Sequence, residues 1–361
     1  MPHLELIDLT KEFGSTKAVD HLMLTIEKGE FVSLLGASGC GKTTTLRMIA
    51  GFAEPTQGRI VLDGKDITHV PARERNMGMV FQSYALFPTL SVFENICFGL
   101  RLRKKTDAEI KRKVGELLEL GHLEGLAGRY PVQLSGGQQQ RVALLRALAI
   151  EPSVLLLDEP LSNLDAKLRV EIRKEIRRMQ SLLHITTVYV THDQEEALAV
   201  SDKIAVMHQG IIQQCDTPID VYSHPTNQFV SDFIGRSNFL TCEVVSKKAI
   251  KFGDTTFPME IPQELLARPK VVLSFRPQHV AIHGTRAELP GDFRGLILNT
   301  KFSFETFLGT FFQVEVMTVP ESRTIMVEVP LEQRGVASLH AGSDLLLSVP
   351  EEHIRMFGAE V

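Results

Sequence analysis

Residues 31–43, FVSLLGASGCGKT, contain the segment that decides the fold of this chain. Phe31–Leu35 is a compact apolar run that predicts a buried β-strand, and the run ends at Gly36 in a glycine-rich turn. A helix is expected to follow from Thr43 to Ala50. A strand, a glycine loop and a helix in this order form the beginning of an α/β unit.

The same alternation continues on both sides of this segment. Short strands are predicted at residues 4–9, 22–27, 154–157, 187–191 and 203–207. Asp165 is a candidate N-cap for a helix whose apolar residues recur every three or four positions, at Leu168, Ile172, Ile176, Met179 and Leu183. Because crossovers between parallel strands are right-handed, a mostly parallel sheet is expected.

Two other regions have a different character. Residues from about 88 to 150 are predicted to be helical, with a capping box at Thr106 and Glu109 and a stop at Gly121. After about residue 237, short β-rich runs at 271–275, 295–298, 311–317, 324–329 and 344–349 predict a small all-β domain, for which a barrel is one arrangement.

The composition of the chain argues against a nucleic-acid-binding protein and against a membrane-spanning one. The formal net charge of −5 provides no global basic field for nucleic acid, and the four cysteines form no CxxC pair. No signal peptide is recognised, and no apolar run approaches the roughly 20 residues of a spanning helix. We therefore expect a cytosolic chain, with other subunits supplying any membrane-spanning part.

The sequence GASGCGKT at residues 36–43 matches the pattern of a loop that cradles phosphates. Its glycines let successive N–H groups surround an anion. Lys42 is expected to reach the β- and γ-phosphates, and the Thr43 hydroxyl to bind Mg²⁺. The alternative is an ordinary glycine turn beside a surface lysine.

Three polar residues follow apolar strands. Asp158 is a candidate Mg²⁺ ligand, and Glu159 is a candidate general base for an attacking water. His192 follows the strand at 187–191. The alternatives are an acidic strand end and a structural histidine.

The stretch LSGGQ at residues 134–138 predicts a capped helix. Ser135 can cap a helix beginning near Gly136, and that helix's first N–H groups would suit an anion. The two glycines are expected to allow close approach of the backbone to a phosphate.

Taken in order, these motifs resemble those of ABC ATPases over residues 1 to about 235. The phosphate loop, Gln82, LSGGQ, Asp158-Glu159, the segment Ser162-Asn163-Leu164-Asp165 and His192 match that family's motifs. Leu145 departs from it, since relatives commonly carry alanine there. The resemblance implies a P-loop NTPase with a RecA-like core and a helical subdomain.

That resemblance also implies roles for individual residues. Catalytic roles fall to Glu159, His192 and Gln82, and metal contacts to Thr43, Gln82 and Asp158. Nucleotide contacts are expected from Phe13, Gly36, Ser38, Gly39, Cys40, Gly41, Lys42, Thr43, Thr44, Ser135, Gly136, Gly137, Gln138 and Asp165. Phe13 resembles the aromatic that stacks on adenine, although a core position is equally compatible with its sequence context.

In this family ATP lies between two subunits, so the resemblance implies a homodimer in which LSGGQ closes over the partner's ATP. Membrane permease subunits would insert a helix beside Gln82, near residues 84–88, although Leu86 is equally suited to the core. A solute-binding protein would act indirectly. The chain would then lie at the cytoplasmic face of the inner membrane.

Residues 274–280, 306–310 and 341–351 resemble blocks of the OB-like TOBE domain, which implies an importer of sugars, polyamines, ferric iron or phosphonates. Residues 71–88 favour the polyamine, iron and phosphonate branch over the sugar branch. The sequence therefore predicts an ATPase domain at 1–236 and a TOBE-type domain at 237–361. Two alternatives remain, a non-transport ABC protein acting on ribosomes or DNA and a module that holds ATP without turnover.

Overall fold

The computed structural model describes residues 2–333 and 340–359, and the chain divides into two compact units, Met1–Val221 and Tyr222–Val361. The first unit contains an antiparallel sheet in the order β2-β1-β4-β5 and a larger sheet in the order β10-β9-β3-β8-β7-β6. In the larger sheet, β10 pairs antiparallel with β9, and the other neighbouring strands pair parallel.

The strands of the first unit are β1 (Pro2–Phe13), β2 (Thr16–Glu27), β3 (Phe31–Leu35), β4 (Gln57–Leu62), β5 (Lys65–Asp66), β6 (Met77–Val80), β7 (Val154–Asp158), β8 (Thr186–Thr191), β9 (Lys203–His208) and β10 (Ile211–Asp216). Its helices are α1 (Lys42–Ala50), α2 (Val92–Leu102), α3 (Asp107–Leu120), α4 (Gly136–Ala149), α5 (Ala166–Leu183) and α6 (Gln194–Val200). Helix α7 (Pro218–Ser223) follows β10.

The predicted parallel sheet is confirmed, and its central strands are buried on both faces. Every residue of β3, β7 and β8 is buried. Burial on both faces is characteristic of a parallel sheet covered on both sides. Because β3, β7 and β8 are parallel neighbours, the residues that follow them lie at one edge of the sheet. Glycine-rich residues 36–41, Glu159 and His192 lie at this edge.

The helical region between β6 and β7 contains α2, α3 and α4, as predicted. The expected capping box at the start of α3 is present, with Thr106 and Glu109 bonded to each other's backbone N–H groups. Gly121 is the C-cap of α3, but its φ of −93° is not left-handed. A Cβ at Gly121 would lie 2.7 Å from Leu145 Cδ1, so the glycine makes room for that leucine.

The second unit is built almost entirely of strands, as predicted. A short helix, α8 (Gln228–Phe233), precedes two antiparallel sheets, ordered β13-β12-β11-β14-β20 and β15-β19-β16-β17-β18. Side chains from both sheets, including Leu240, Leu273, Val316 and Leu347, form one buried core. The strands are β11 (Asn238–Ser246), β12 (Ala249–Phe252), β13 (Thr255–Pro258), β14 (Lys270–Phe275), β15 (Ala281–His283), β16 (Gly295–Phe307), β17 (Phe311–Thr318), β18 (Thr324–Pro330), β19 (Asp344–Pro350) and β20 (Arg355–Gly358).

Candidate active site

The glycine-rich loop joins β3 to α1 and packs tightly against neighbouring strands. A Cβ on Gly36 would lie 2.4 Å from the Met207 carbonyl oxygen in β9, and a Cβ on Gly41 would lie 2.4 Å from the Ala18 carbonyl oxygen in β2. Gly41 also has a φ of 106°, a conformation that L side chains rarely adopt. The loop therefore requires glycine at both positions to fit between the two strands.

Other predicted phosphate-binding residues lie in the same loop and the first turn of α1. Ser38 and Gly39 are exposed, Cys40 is buried, and Thr44 is half-buried. The Cys40 carbonyl accepts a hydrogen bond of 3.1 Å from the N–H of Gly210. This bond ties the phosphate loop to the turn between β9 and β10.

Lys42 and Thr43 begin α1 and point to different partners. The Lys42 ammonium is buried and donates to the carbonyls of Gly36 at 2.7 Å and Ala37 at 2.9 Å. The Thr43 hydroxyl donates to Asp158 Oδ1 at 3.1 Å. Burial raises the pKa of Asp158, and the hydrogen bond from Thr43 opposes that shift. The threonine and aspartate oxygens thus lie together beside the phosphate loop.

Glu159 has two side-chain neighbours at the sheet edge. Its Oε2 lies 3.2 Å from His192 Nδ1 and accepts a 3.3 Å hydrogen bond from Gln82 Nε2. The Glu159 side chain is 21% exposed and that of His192 is 56% exposed, so the group is open to water. The structure therefore brings together all three residues that the sequence analysis proposed as catalytic.

The backbone of Glu159 adopts a φ of 44°, which is unusual for a residue with a side chain. Its N–H donates to the Val190 carbonyl at 3.0 Å, and its carbonyl accepts from the Ser162 hydroxyl at 3.0 Å. Strained conformations of this type are concentrated at functional sites and persist where surrounding contacts fix them. No sequence pattern indicates this conformation.

The segment of residues 162–165 follows Glu159 and contacts the same group. The Asn163 amide donates to the Gln82 carbonyl at 2.8 Å. Asp165 caps α5 as predicted, accepting a 3.0 Å hydrogen bond from the Leu168 N–H. Asn163 therefore holds the glutamine that contacts Glu159.

Ser135 caps α4, as predicted, in a reciprocal arrangement with Gln138. The Ser135 hydroxyl accepts from the Gln138 N–H at 3.4 Å, and Gln138 Oε1 accepts from the Ser135 N–H at 3.0 Å. Ser135 and Gly136 are exposed at the start of the helix. The described residues show no hydrogen bond between residues 135–138 and the phosphate loop.

The two glycines of LSGGQ (residues 134–138, called the signature below) have a packing role that sequence reasoning missed. A Cβ on Gly136 would lie 3.2 Å from Leu164 Cδ2, and one on Gly137 would lie 3.0 Å from Leu168 Cδ1 and Cδ2. Gly137 is buried. The small size of both residues lets α4 approach the beginning of α5 closely.

Phe13 lies at the end of β1 and is 57% exposed, so the core alternative for this residue is wrong. Lys11 Nζ lies 5.1 Å from the centre of its ring. The exposed ring of Phe13 is therefore available for contact with a ligand.

Leu86, by contrast, is partly buried against the core of the helical region.

Arg146, in the last turn of α4, contacts the segment that follows Gln82. Its guanidinium donates to the carbonyls of Tyr84 at 2.9 Å and Ala85 at 2.7 Å, and it lies 5.3 Å from the Phe87 ring centre. Tyr84 and Ala85 have φ values of 62° and 46°. Burial lowers the pKa of Arg146. Helix α4, which Ser135 caps, thereby fixes the loop that follows Gln82, and no motif spacing indicates this link.

Comparison with known proteins agrees with this geometry. The family model described as ABC transporter matches residues 19–162. The Fe(3+) ions import ATP-binding protein FbpC of Agrobacterium fabrum is 44% identical over 349 residues, covering 92% of this chain and 97% of the relative. The spermidine/putrescine import ATP-binding protein PotA of Nitrosomonas europaea is 46% identical over 308 residues, covering 83% and 85%.

Solved structures resemble the ATPase part of the chain. The dimeric ATP-binding cassette MJ0796, in a post-hydrolysis state bound to ADP and Pi, is 32% identical with a TM-score of 0.53 and covers 60% of this chain and 98% of that one. The cassette cbiO1 of Clostridium perfringens, part of the transporter complex cbiONQ, is 32% identical with a TM-score of 0.58 and covers 61% and 91%. The chain belongs to the ABC transporter family and is one of its ATP-binding ATPases.

Proposed function

We propose that this chain is the ATP-hydrolysing subunit of an importer, in which two copies close over ATP. The observation that carries the proposal is the contact of Glu159 with both Gln82 and His192, next to Asp158 and the phosphate loop. We keep the division into an ATPase domain at 1–236 and a TOBE-type domain at 237–361 as part of this proposal.

The phosphate loop binds the triphosphate through its backbone N–H groups and Lys42. An ammonium that already lies within the loop, on the carbonyls of Gly36 and Ala37, needs only a local rearrangement to reach a phosphate oxygen. The N-terminus of α1 adds its dipole to this attraction. Phe13 contributes an exposed ring for stacking on adenine.

The oxygens of Thr43 and Asp158 fit a Mg²⁺ ion. Hard cations prefer oxygen ligands, and Mg²⁺ is commonly held by one or two carboxylates together with phosphate oxygens. No group of three or more His, Cys, Asp or Glu side chains could hold a metal within residues 2–333 and 340–359, and a Mg²⁺ bound with ATP requires none. Thr43 and Asp158 would hold the ion, with Gln82 nearby, and the bound ion would neutralise phosphate charge.

Glu159 orients a water molecule and accepts its proton as the water attacks the terminal phosphate. His192 and Gln82 both contact Glu159 Oε2, so together they fix the carboxylate in one orientation. An acceptor within hydrogen-bond reach of the water is the first requirement of a general base. This arrangement favours a chain that hydrolyses ATP over a module that only holds ATP.

The signature residues Ser135, Gly136, Gly137 and Gln138 act on the ATP of a second copy. Ser135 and Gly136 are exposed at the N-terminus of α4, where unpaired N–H groups attract an anion. Asp165 lies at the start of α5, next to the glycine–leucine contacts that join the two helices. A two-fold pair of such chains contains two identical composite sites.

Ferric iron is the cargo that we place first, with polyamines second, among the predicted classes. The similarity to FbpC extends over 92% of the chain, which supports this order. Permease subunits and a solute-binding protein would select the cargo. Residues 84–88 would contact the permease at the cytoplasmic face of the membrane. No helix of the described residues is long and apolar enough to span a membrane.

The trans role of the signature is tested with Ser135→Arg. ATP hydrolysis should fall at least about tenfold, because the arginine blocks closure, while ATP binding to the single chain is retained. Thr106→Arg is the matched control, since Thr106 also caps a helix in a capping box and each change costs about 1 kcal/mol of cap energy. Equal hydrolysis by the wild type and Ser135→Arg would contradict the proposal.

The identity of the cargo is tested by measuring uptake of labelled ferric iron and labelled spermidine in cells that lack the gene for this chain. Wild-type chain should restore uptake of labelled ferric iron, whereas Glu159→Gln should not. Restored uptake of labelled spermidine, without any change in iron uptake, would place polyamines first instead.

A further inference from the structure

Arg169 lies one turn into α5, outside every motif named above, and its guanidinium joins two loops of the site. Nη2 donates to the Leu164 carbonyl at 3.1 Å, and Nη1 lies 3.4 Å from Asp193 Oδ2. Nε lies 3.8 Å from Glu196 Oε1, and 34% of the Arg169 side chain is exposed. One side chain therefore contacts the segment of residues 162–165 and the residues that follow His192.

The acidic partners of Arg169 fix the backbone on both sides of His192. Asp193 caps α6, accepting a 3.2 Å hydrogen bond from the Glu196 N–H. The Asp193 N–H in turn donates to the Thr191 hydroxyl at 3.0 Å. The residues immediately before and after His192 are thus bonded to each other.

Glu196 anchors this arrangement in the interior. It is buried, and its Oε2 accepts hydrogen bonds from the Tyr189 hydroxyl at 2.7 Å and the Thr191 hydroxyl at 2.8 Å. Buried carboxylates need such partners, because an unpaired charge in the interior is costly. Arg169 supplies the nearby positive charge on the side facing residues 162–165.

The segment of residues 162–165 is therefore connected to both neighbours of Glu159. Asn163 bonds to the backbone of Gln82, and the Leu164 carbonyl is bonded through Arg169 to the residues beside His192. Displacement of residues 162–165 would therefore shift both Gln82 and His192, the two side chains that contact Glu159.

We propose that Arg169 is a positioning residue that couples the placement of residues 162–165 to the placement of His192 against Glu159. The inference rests on the proposed function, in which two copies close over ATP and Glu159 accepts the proton of the attacking water. Arginine suits the role because its planar fork of five N–H donors reaches acceptors on separate loops, whereas lysine offers a single ammonium. Arg169 acts through the residues beside His192, and its partners are the Leu164 carbonyl, Asp193 and Glu196.

Arg169→Met keeps an unbranched apolar stem and removes the guanidinium fork together with its charge. We expect kcat for ATP hydrolysis to fall about 10-fold to 100-fold, because small misplacements of catalytic groups reduce rates to this extent. KM for ATP should change less than about twofold, since Arg169 lies outside the phosphate loop. Arg169→Lys should recover part of kcat, since it restores the charge without the fork.

Arg177→Met is the matched control. Arg177 lies on the same helix, has the same 34% exposure and pairs with Asp202 at 2.6 Å, away from His192. It should lose a comparable amount of thermal stability while keeping kcat. The proposal is overturned if Arg169→Met and Arg177→Met have the same kcat, or if the loss in Arg169→Met lies in KM. Absence of turnover in the wild type as well would instead refute the proposed function.

Discussion

Replacement of Glu159 by glutamine separates catalysis from folding in this site. The substitution keeps the size of the side chain and leaves one oxygen, which can still accept from Gln82 or His192. It removes the negative charge that both neighbours now contact at 3.3 Å and 3.2 Å. It also removes the carboxylate that we propose as the proton acceptor.

The magnitudes of the two effects differ. Loss of a general base lowers a rate by about 10²–10⁴, which corresponds to about 2.7–5.4 kcal/mol of transition-state stabilisation. Loss of charge weakens two hydrogen bonds, one of them to a histidine that is 56% exposed, and should lower the free energy of unfolding by less than about 1.5 kcal/mol. The catalytic loss therefore exceeds the stability loss.

The assay is phosphate release at saturating ATP, with nucleotide binding and thermal unfolding measured on the same preparation. Glu151→Gln is the matched control, because Glu151 also has a left-handed backbone (φ 49°) and an ion pair, with Lys113. It should turn over ATP like the wild type. Turnover by Glu159→Gln within about threefold of the wild type would refute the assignment of the base.

Three further outcomes are expected. Burial raises the pKa of Asp158, so above that pKa the ionised carboxylate destabilises the nucleotide-free chain. Asp158→Asn should therefore raise Tm at about pH 7.5 while abolishing ATP hydrolysis. The gain in Tm should disappear as the pH falls below about 4, where the carboxyl group is protonated in both the folded and the unfolded chain. Phe13→Ala should raise KM for ATP by about 2-fold to 13-fold, through loss of about 0.5–1.5 kcal/mol of stacking. Phe304→Ala, which removes a similarly exposed ring from the β domain, should leave KM unchanged. Gly121→Ala should destabilise by about 1–3 kcal/mol through crowding against Leu145, and in chemical denaturation its cost should shrink in a Leu145→Ala background.

The sequence predicted the parts of the site that depend on local order. A buried strand followed by a polar residue places that residue at the carboxyl edge of a parallel sheet, so Asp158, Glu159 and His192 could be placed near the phosphate loop before the fold was known. Ser135 and Asp165 could be recognised as caps because capping depends on residues within one turn.

Contacts between distant residues could not be predicted in this way. Arg146 reaches carbonyls 61 and 62 positions away, and Arg169 reaches Asp193 across 24 positions. An arginine that bonds to carbonyls leaves no periodicity or spacing in the sequence. The sequence predicts only phosphate approach for the glycines of LSGGQ, because Leu164 and Leu168, which face them, cannot be located without the fold.

The central claim is that each ATP site is shared between two copies of the chain, and mixing two defective chains tests it directly. In a Glu159→Gln background, one chain carries Lys42→Ala and the other carries Ser135→Arg. Together they contain one intact composite site, formed by the phosphate loop of the second chain and the signature of the first. We predict that neither chain alone forms an ATP-dependent dimer, and that the mixture forms one retaining about one ATP per dimer. A mixture that stays monomeric with ATP, or an ATP-dependent dimer of the Ser135→Arg chain alone, would contradict the account.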